Sequence, residues 1–206
     1  MHAPQVADID VLLFDFGGVI VDIDFGRAFA GWALAAGVPP ASVAAHFRFD
    51  DAYAAHERGE IRAAEYFASL RRSLGIDLSD EQFLAGWNAI FVGEAPGMRT
   101  LLAAAAKART LYLFSNTCEA HRRYWMPRYR DLLQPFVDVF LSCDLGMRKP
   151  EREAFEFVAG RIGVAPPRIA FFDDSAENVA GARSAGLRAF QVRSSADVVA
   201  ALEPRP

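Results

Sequence analysis

The sequence predicts an α/β chain: a doubly wound parallel sheet with an inserted α-helical cap. Three observations predict it. Short apolar runs at 11–14, 111–114, 137–141 and 169–172 each end at polar residues, as buried strands do before a turn. From residue 98 onward these runs alternate with helical stretches, the pattern of a parallel sheet flanked by helices. Between the first and second runs, residues 25–107 show helical spacing and no strand pattern, too long a stretch for a simple crossover.

The elements follow in order. The run 11–14 stops at Asp15, and Gly17-Gly18 behind it lets the chain turn sharply and come close to a ligand. Phe25, Phe29, Trp32 and Ala33 recur at helical spacing until Gly37-Val38-Pro39-Pro40 ends that helix. A short helix is expected over 42–49. A polar break at Glu57-Arg58-Gly59-Glu60 then precedes a helix over 63–74 that stops at Gly75. Ser79-Asp80-Glu81-Gln82 has the form of a capping box, and Phe83, Trp87, Ile90 and Phe91 make one apolar face behind it. Pro96 opens a helix over 97–108. After strand 111–114 come a helix at 121–133, a strand at 137–142 and a helix opened by Pro150 and running to Ile162. Strand 169–172 ends at Asp173-Asp174, and a helix, a last strand at 188–192 and a short terminal helix complete the chain. This division assigns residues 1–23 and 98–206 to the core and 24–97 to the cap, seated over the carboxyl edge of the sheet.

Composition narrows the function. The chain has 206 residues, 52% of them hydrophobic, enough to bury a full core. A net charge of −4 without any Lys/Arg cluster leaves no electrostatic footprint for nucleic acid. No apolar stretch reaches the roughly 18 residues that span a bilayer, and residues 1–9 lack the basic start of a signal peptide. Cys118 and Cys143 form no CxxC pair and read as reduced thiols of a cytoplasmic protein.

In a parallel sheet the carboxyl ends of all strands lie on one edge, where open α/β sheets bind ligands. Here that edge collects Asp15, Ser115-Asn116, Lys149 and Asp173-Asp174. Carboxylates brought so close repel unless a cation joins them. A few hard oxygen ligands beside room for substrate suit Mg²⁺. Lys149, Ser115 and backbone N–H groups would hold an anionic, phosphate-sized group, leaving one carboxylate to attack phosphorus.

Four motifs carry a resemblance over essentially the whole chain: Phe14-Asp15-Phe16-Gly17-Gly18-Val19, Leu113-Phe114-Ser115-Asn116-Thr117, Met147-Arg148-Lys149-Pro150 and Phe171-Phe172-Asp173-Asp174-Ser175-Ala176-Glu177-Asn178. The chain resembles the haloacid dehalogenase (HAD) superfamily, Rossmann-like hydrolases, and its phosphatases with a helical cap after the first motif. Residues 19–25, His56-Glu57-Arg58-Gly59-Glu60-Ile61 and residues 144–150 are similar to the bacterial α-D-glucose-1-phosphate phosphatases. The resemblance implies Asp15 as the nucleophile that becomes an aspartyl-phosphate and as an Mg²⁺ ligand. It implies the Gly17 carbonyl and Asp174 as further ligands, with Asp173 adjacent or supporting. Ser115 and the Asn116 backbone would hold phosphoryl oxygens beside Gly17-Gly18, with Lys149 neutralising their charge. The implied partner is a small phosphorylated metabolite; oligomeric state is left open.

One departure stands out. Most phosphatases of this superfamily carry Asp two residues after the nucleophile as general acid and base, and here that residue is Gly17. Asp22, Asp24, His56 and Glu57 are the candidates to replace it, and a substrate with a good leaving group, such as a sugar 1-phosphate, would lessen the need. His56, Glu57 and Arg58 are also the candidates for reaching substrate hydroxyls from the cap. Trp87, Phe91 and the Phe25/Phe29/Trp32 stripe read as cap core, and His121 as a surface residue. Two alternative functions share the motifs: a metal-independent 2-haloacid dehalogenase, which uses the same aspartate on a halogenated carbon, and a non-catalytic binding protein.

Overall fold

A computed structural model describes residues 8–203; the proposed start of the core and the last residues of the tail lie outside them. Strand β1 (Val11–Phe14) is followed by the short β2 (Val21–Ile23). Five helices come next: α1 (Phe25–Ala36), α2 (Pro40–His46), α3 (Asp51–Glu57), α4 (Ala63–Leu74) and α5 (Asp80–Asn88). Strand β3 (Phe91–Glu94) and α6 (Met98–Ala105) lead into β4 (Thr110–Ser115), α7 (Glu119–Arg128) and α8 (Arg130–Leu133). The chain ends with β5 (Phe136–Leu141), α9 (Ser142–Leu145), α10 (Arg152–Ile162), β6 (Ile169–Asp173), α11 (Ala176–Ser184), β7 (Arg188–Gln191) and α12 (Ser195–Leu202).

The main sheet has the order β5-β4-β1-β6-β7, with every pairing parallel. The chain moves outward from β1 in one direction and then returns to build the other side. The carboxyl end of β1 is therefore the topological switch point, where such sheets leave a crevice. All four β1 side chains are buried, and the two-residue period divides them between two layers. Leu12 and Phe14 pack with Leu102, Trp125 and Val198, whereas Val11 and Leu13 pack with Phe155, Val158 and Val179. A third cluster belongs to the helices α1–α5: Trp32, Tyr66, Phe67, Phe83 and Trp87, all nearly or wholly buried. Trp32 and Trp87 stack at 5.9 Å, and the Trp32 indole N–H donates to the Phe83 carbonyl at 3.0 Å, which satisfies its one polar atom.

Caps set the helix ends that the sequence marks. Gly37 and Gly75 close α1 and α4 in the left-handed conformation, and Ser79 and Gln82 form the capping box of α5. Three expectations need correction. Residues 25–107 do contain a strand: β3 pairs antiparallel with β2, so Phe91 leaves the α5 face. It is four residues long and only half-buried, without the alternation that would separate it from a helix end. Pro96 and Gly97 precede α6 rather than lying in it. Pro150 does not open α10, which starts at Arg152; the backbone before Pro150 is bonded instead to the Asn116 side chain. Among the described residues no single helix is long and apolar enough to cross a membrane.

Candidate active site

Asp15 emerges from β1 with its backbone N–H donating to the Phe172 carbonyl at 2.9 Å, so the nucleophile candidate is tied to the neighbouring strand. Asp173 is the last residue of β6 and is completely buried. Between them lies Lys149, also completely buried, with Nζ at 2.7 Å from Asp15 Oδ1 and 2.7 Å from Asp173 Oδ2. Lys149 Nζ also lies over the rings of Phe114 and Phe171, 5.5 and 5.3 Å from their centroids. Burial works against the charge on Lys149, but Asp15 and Asp173 outweigh it and hold the pKa above the ordinary lysine value.

Asn116 fixes the backbone of that lysine. Its Oδ1 accepts from the Lys149 N–H and its Nδ2 donates to the Lys149 carbonyl, both at 2.9 Å. The two bonds engage both ends of the amide, so the Asn116 side chain is committed to positioning the Lys149 backbone. Asp173 is similarly committed. Oδ1 accepts from Ser175 N–H at 2.8 Å and Asn178 Nδ2 at 3.0 Å, and Oδ2 receives Lys149 together with Asn178 Nδ2 at 3.1 Å.

Asp15, Asp173 and Asp174 each bring an oxygen within 4.8 Å of the others. Burial pushes the Asp15 carboxyl upward, Lys149 pulls against it, and Asp173 and Asp174 add to the rise. Burial and Asp173 likewise raise Asp174. Three carboxylates face one ammonium, an excess of negative charge that one divalent cation would balance. Gly18 supports the same reading. It sits at φ +81, and a Cβ on it would lie 2.5 Å from Asp174 Oδ2, so only glycine lets that carboxylate lie against the first loop. Asp173 has its lone pairs engaged, which makes it the anchor of Lys149 and leaves Asp15 and Asp174 as the carboxylates able to turn to a cation. The donor set is hard oxygen throughout and fits Mg²⁺.

These groups open into a cleft of about 560 Å³ between the strand ends and the helical cap. Asp15, Gly17, Ser115, Asn116, Lys149 and Asp174 line its floor, and Phe25, Phe49, Tyr53, Glu57 and Phe91 its far wall. A second cavity of about 460 Å³ lies at the opposite, amino-terminal edge of the sheet, among Asp10, Arg109 and Thr110, and contains none of the motif residues.

The cap residues separate. Glu57 lines the cleft and is buried, with Oε2 accepting from Arg148 Nε at 2.8 Å. His56 turns away into the cap, stacked on Tyr66 at 4.7 Å, and Arg58 reaches sideways to pair with Glu151; neither lines the cleft. Helical geometry explains the split, because adjacent positions on α3 point about 100° apart. Asp22 is exposed on β2, and Asp24 caps α1 by accepting from Gly26 N–H at 2.8 Å, so both stand outside the cleft. His121 is not a surface residue: it is buried on α7, lines the cleft, stacks on Trp87 and donates Nε2–H to the Trp87 carbonyl at 2.9 Å.

Sequence reasoning passed over Tyr53, Arg148 and Asn178 as contributors. Tyr53 stands one helical turn before Glu57 and shares its face, a signal that a helix at 51–57 would have exposed. Both cysteines are free thiols, Cys118 buried and Cys143 partly so.

A nucleophile candidate at the switch point and a buried lysine between two aspartates define the class. The model of haloacid dehalogenase-like hydrolases matches residues 9–186, and the chain belongs to that family. It is 28% identical over 193 residues to the D-ribitol-5-phosphate phosphatase of Bacteroides thetaiotaomicron, covering 90% of this chain and 93% of the relative. It is 28% identical over 202 residues to phosphatase MT3486 of Mycobacterium tuberculosis, covering 91% and 88%. Among solved structures, wild-type HAD family enzyme BT-2542 of Bacteroides thetaiotaomicron, in complex with magnesium and inorganic phosphate, superposes with a TM-score of 0.76 at 29% identity, over 89% of this chain and 93% of that one.

Proposed function

We propose that this hydrolase is a Mg²⁺-dependent phosphatase that cleaves a small sugar phosphate through an aspartyl-phosphate on Asp15. The observation that carries the reading is the buried Lys149 bridging Asp15 and Asp173 at 2.7 Å, with Asp174 alongside. A metal-free dehalogenase has no use for a surplus of negative charge that calls for a cation, whereas phosphoryl transfer uses the Mg²⁺ such a surplus would hold. The similarity to two phosphatases and to an enzyme crystallised with magnesium and phosphate supports it.

Asp15, Asp174 and the Gly17 carbonyl would hold the Mg²⁺. When bound, the ion supplies positive charge to the phosphoryl oxygens. The protein does the rest by placement. Asp15 attacks phosphorus in line with the leaving oxygen, and Lys149 stabilises charge on the equatorial oxygens. Ser115 and the backbone at Asn116 receive the same oxygens. The aromatic far wall suits the apolar face of a sugar ring, and Phe49, 65% exposed, marks its open rim.

Within sugar phosphates we place α-D-glucose 1-phosphate and related anomeric phosphates first. The residue after Phe16 carries no acid, and a hemiacetal oxygen leaves more easily than an ordinary alkoxide. The test is phosphate release from a panel of sugar phosphates with Mg²⁺, with chelator, and with Asp15→Asn. Release that needs Mg²⁺ and disappears in Asp15→Asn supports the reading, and 1-phosphates should exceed 6-phosphates. Turnover of haloacids in chelator, with no phosphate release from the panel, would replace it by dehalogenation.

A further inference from the structure

Phosphoryl transfer through Asp15 requires a proton at two moments: one given to the leaving oxygen, and one taken from the water that opens the aspartyl-phosphate. A good leaving group lessens the first demand but not the second. Gly17 cannot meet either. The direction its side chain would take is filled by the Ile23 methyls at 3.3–3.4 Å, so that part of the wall is apolar.

The other ionisable groups facing the cleft can be taken in turn. Asp15, Lys149 and Asp174 are engaged by the transfer itself, and the Arg148 guanidinium does not give up its proton. Burial holds His121 down to about 3, so at neutral pH it carries no proton to give beyond the one donated to Trp87. Burial and the neighbouring Glu57 keep the Tyr53 hydroxyl well above its ordinary value. Glu177 is exposed in the first turn of α11. Glu57 remains. Its carboxylate is buried where the cap side of the cleft meets the lysine segment, against Arg148, and burial raises its pKa, the direction a proton donor needs. Arg148 at 2.8 Å, the Tyr53 hydroxyl and, farther off, Lys149 oppose that rise and stabilise the anion once the proton is gone. Both protonation states are thereby supported in one place.

We propose that Glu57 is the catalytic acid–base residue of this enzyme, acting from the cap in place of an aspartate after the nucleophile. The inference rests on the phosphatase reading. In the first step Asp15 forms an O–P bond, the ester P–O bond breaks, and the Glu57 proton passes to the departing oxygen. In the second step the Glu57 carboxylate takes a proton from water, whose oxygen bonds to phosphorus as the Asp15 O–P bond breaks. Inorganic phosphate, Asp15 and protonated Glu57 result, so the cycle closes.

The experiment compares wild type, Glu57→Gln and Glu57→Asp on a sugar phosphate and on p-nitrophenyl phosphate, whose leaving group needs no acid. Glu57→Gln should lower sugar-phosphate turnover by about 10² to 10⁴-fold. With p-nitrophenyl phosphate it should release a burst of nitrophenol close to one per enzyme, followed by slow turnover as aspartyl-phosphate accumulates. Glu57→Asp, which keeps a carboxylate, should recover part of the steady rate and guards against a mere packing loss. Wild-type rates in Glu57→Gln, or equal losses on both substrates without a burst, would overturn the assignment. Absence of phosphate release by wild type would overturn the phosphatase reading first and this one with it.

Discussion

At the residue scale the site is an electrostatic balance with one ammonium at its centre. Lys149 is wholly buried and touches two carboxylates, so removing it strands two like charges, one of them, Asp173, completely buried. Breaking such a buried pair costs about 3–5 kcal/mol. Lys149→Met should lose stability on that order in urea unfolding without Mg²⁺, and should also abolish phosphate release. Adding Asp173→Asn should return part of the loss, because one of the stranded charges is gone while Ser175 N–H and Asn178 still find an acceptor. The two substitutions should be coupled by more than about 1 kcal/mol. Strict additivity would show that Lys149 and Asp173 act independently. Asn116 has a part in the same balance: its amide holds the lysine backbone at both polar atoms, so Asn116→Ala should lower kcat far more than it raises KM. A change confined to KM would instead assign the amide to substrate.

At the element scale the end of α3 is where cap and core are fastened. The Ser142 hydroxyl lies 2.7 Å from the Glu57 carbonyl and accepts from the Thr117 N–H at 2.8 Å. Glu57 pairs with Arg148 and Arg58 with Glu151, so three successive contacts join α3 to the segment that carries Lys149. Gly59 completes the junction at φ +73, and a Cβ there would fall 2.6 Å from the Cys143 carbonyl. Gly75 offers the control. It has φ +65 but nothing within 4 Å of the same position. Gly75→Ala should therefore cost only the left-handed conformation, about 1–2 kcal/mol. Gly59→Ala should cost more than that and should depress activity too, since it forces α3 away from the lysine segment. Equal melting-temperature losses with full activity in both would show that the junction tolerates displacement.

At the scale of the whole molecule, what was legible in the sequence follows from what fixes each part. The strand ends could be read because Phe14-Asp15, Phe114-Ser115 and Phe172-Asp173 each mark an abrupt change from apolar to polar, and a parallel sheet brings such ends together. The far wall of the cleft could not, because it depends on which side of α3 faces inward and on a short β3 whose pairing with β2 leaves no periodic signal. His121 was misplaced for the same reason: only the packing of α5 on α7 shows that its ring lies under Trp87. That burial has a consequence for the stability of the molecule. Burial holds His121 at about 3, against an ordinary 6.5, and lowers His56 as well. The unfolded chain therefore binds protons below pH 6.5 that the folded chain refuses. For His121 the stabilisation is complete above 6.5 and is lost as pH falls toward 3, at about 1.4 kcal/mol per pH unit, and His56 acts in the same direction. Glu57 and Asp174, whose pKa values are raised, work in the opposite sense over part of this range, so the wild-type curve alone would be ambiguous. The difference between wild type and His121→Gln isolates the term. Gln can still donate to the Trp87 carbonyl but cannot be protonated, so the fall in unfolding free energy between pH 6.5 and 5 should be shallower by about 2 kcal/mol across the interval. Parallel curves would mean that His121 takes up its proton within the folded protein.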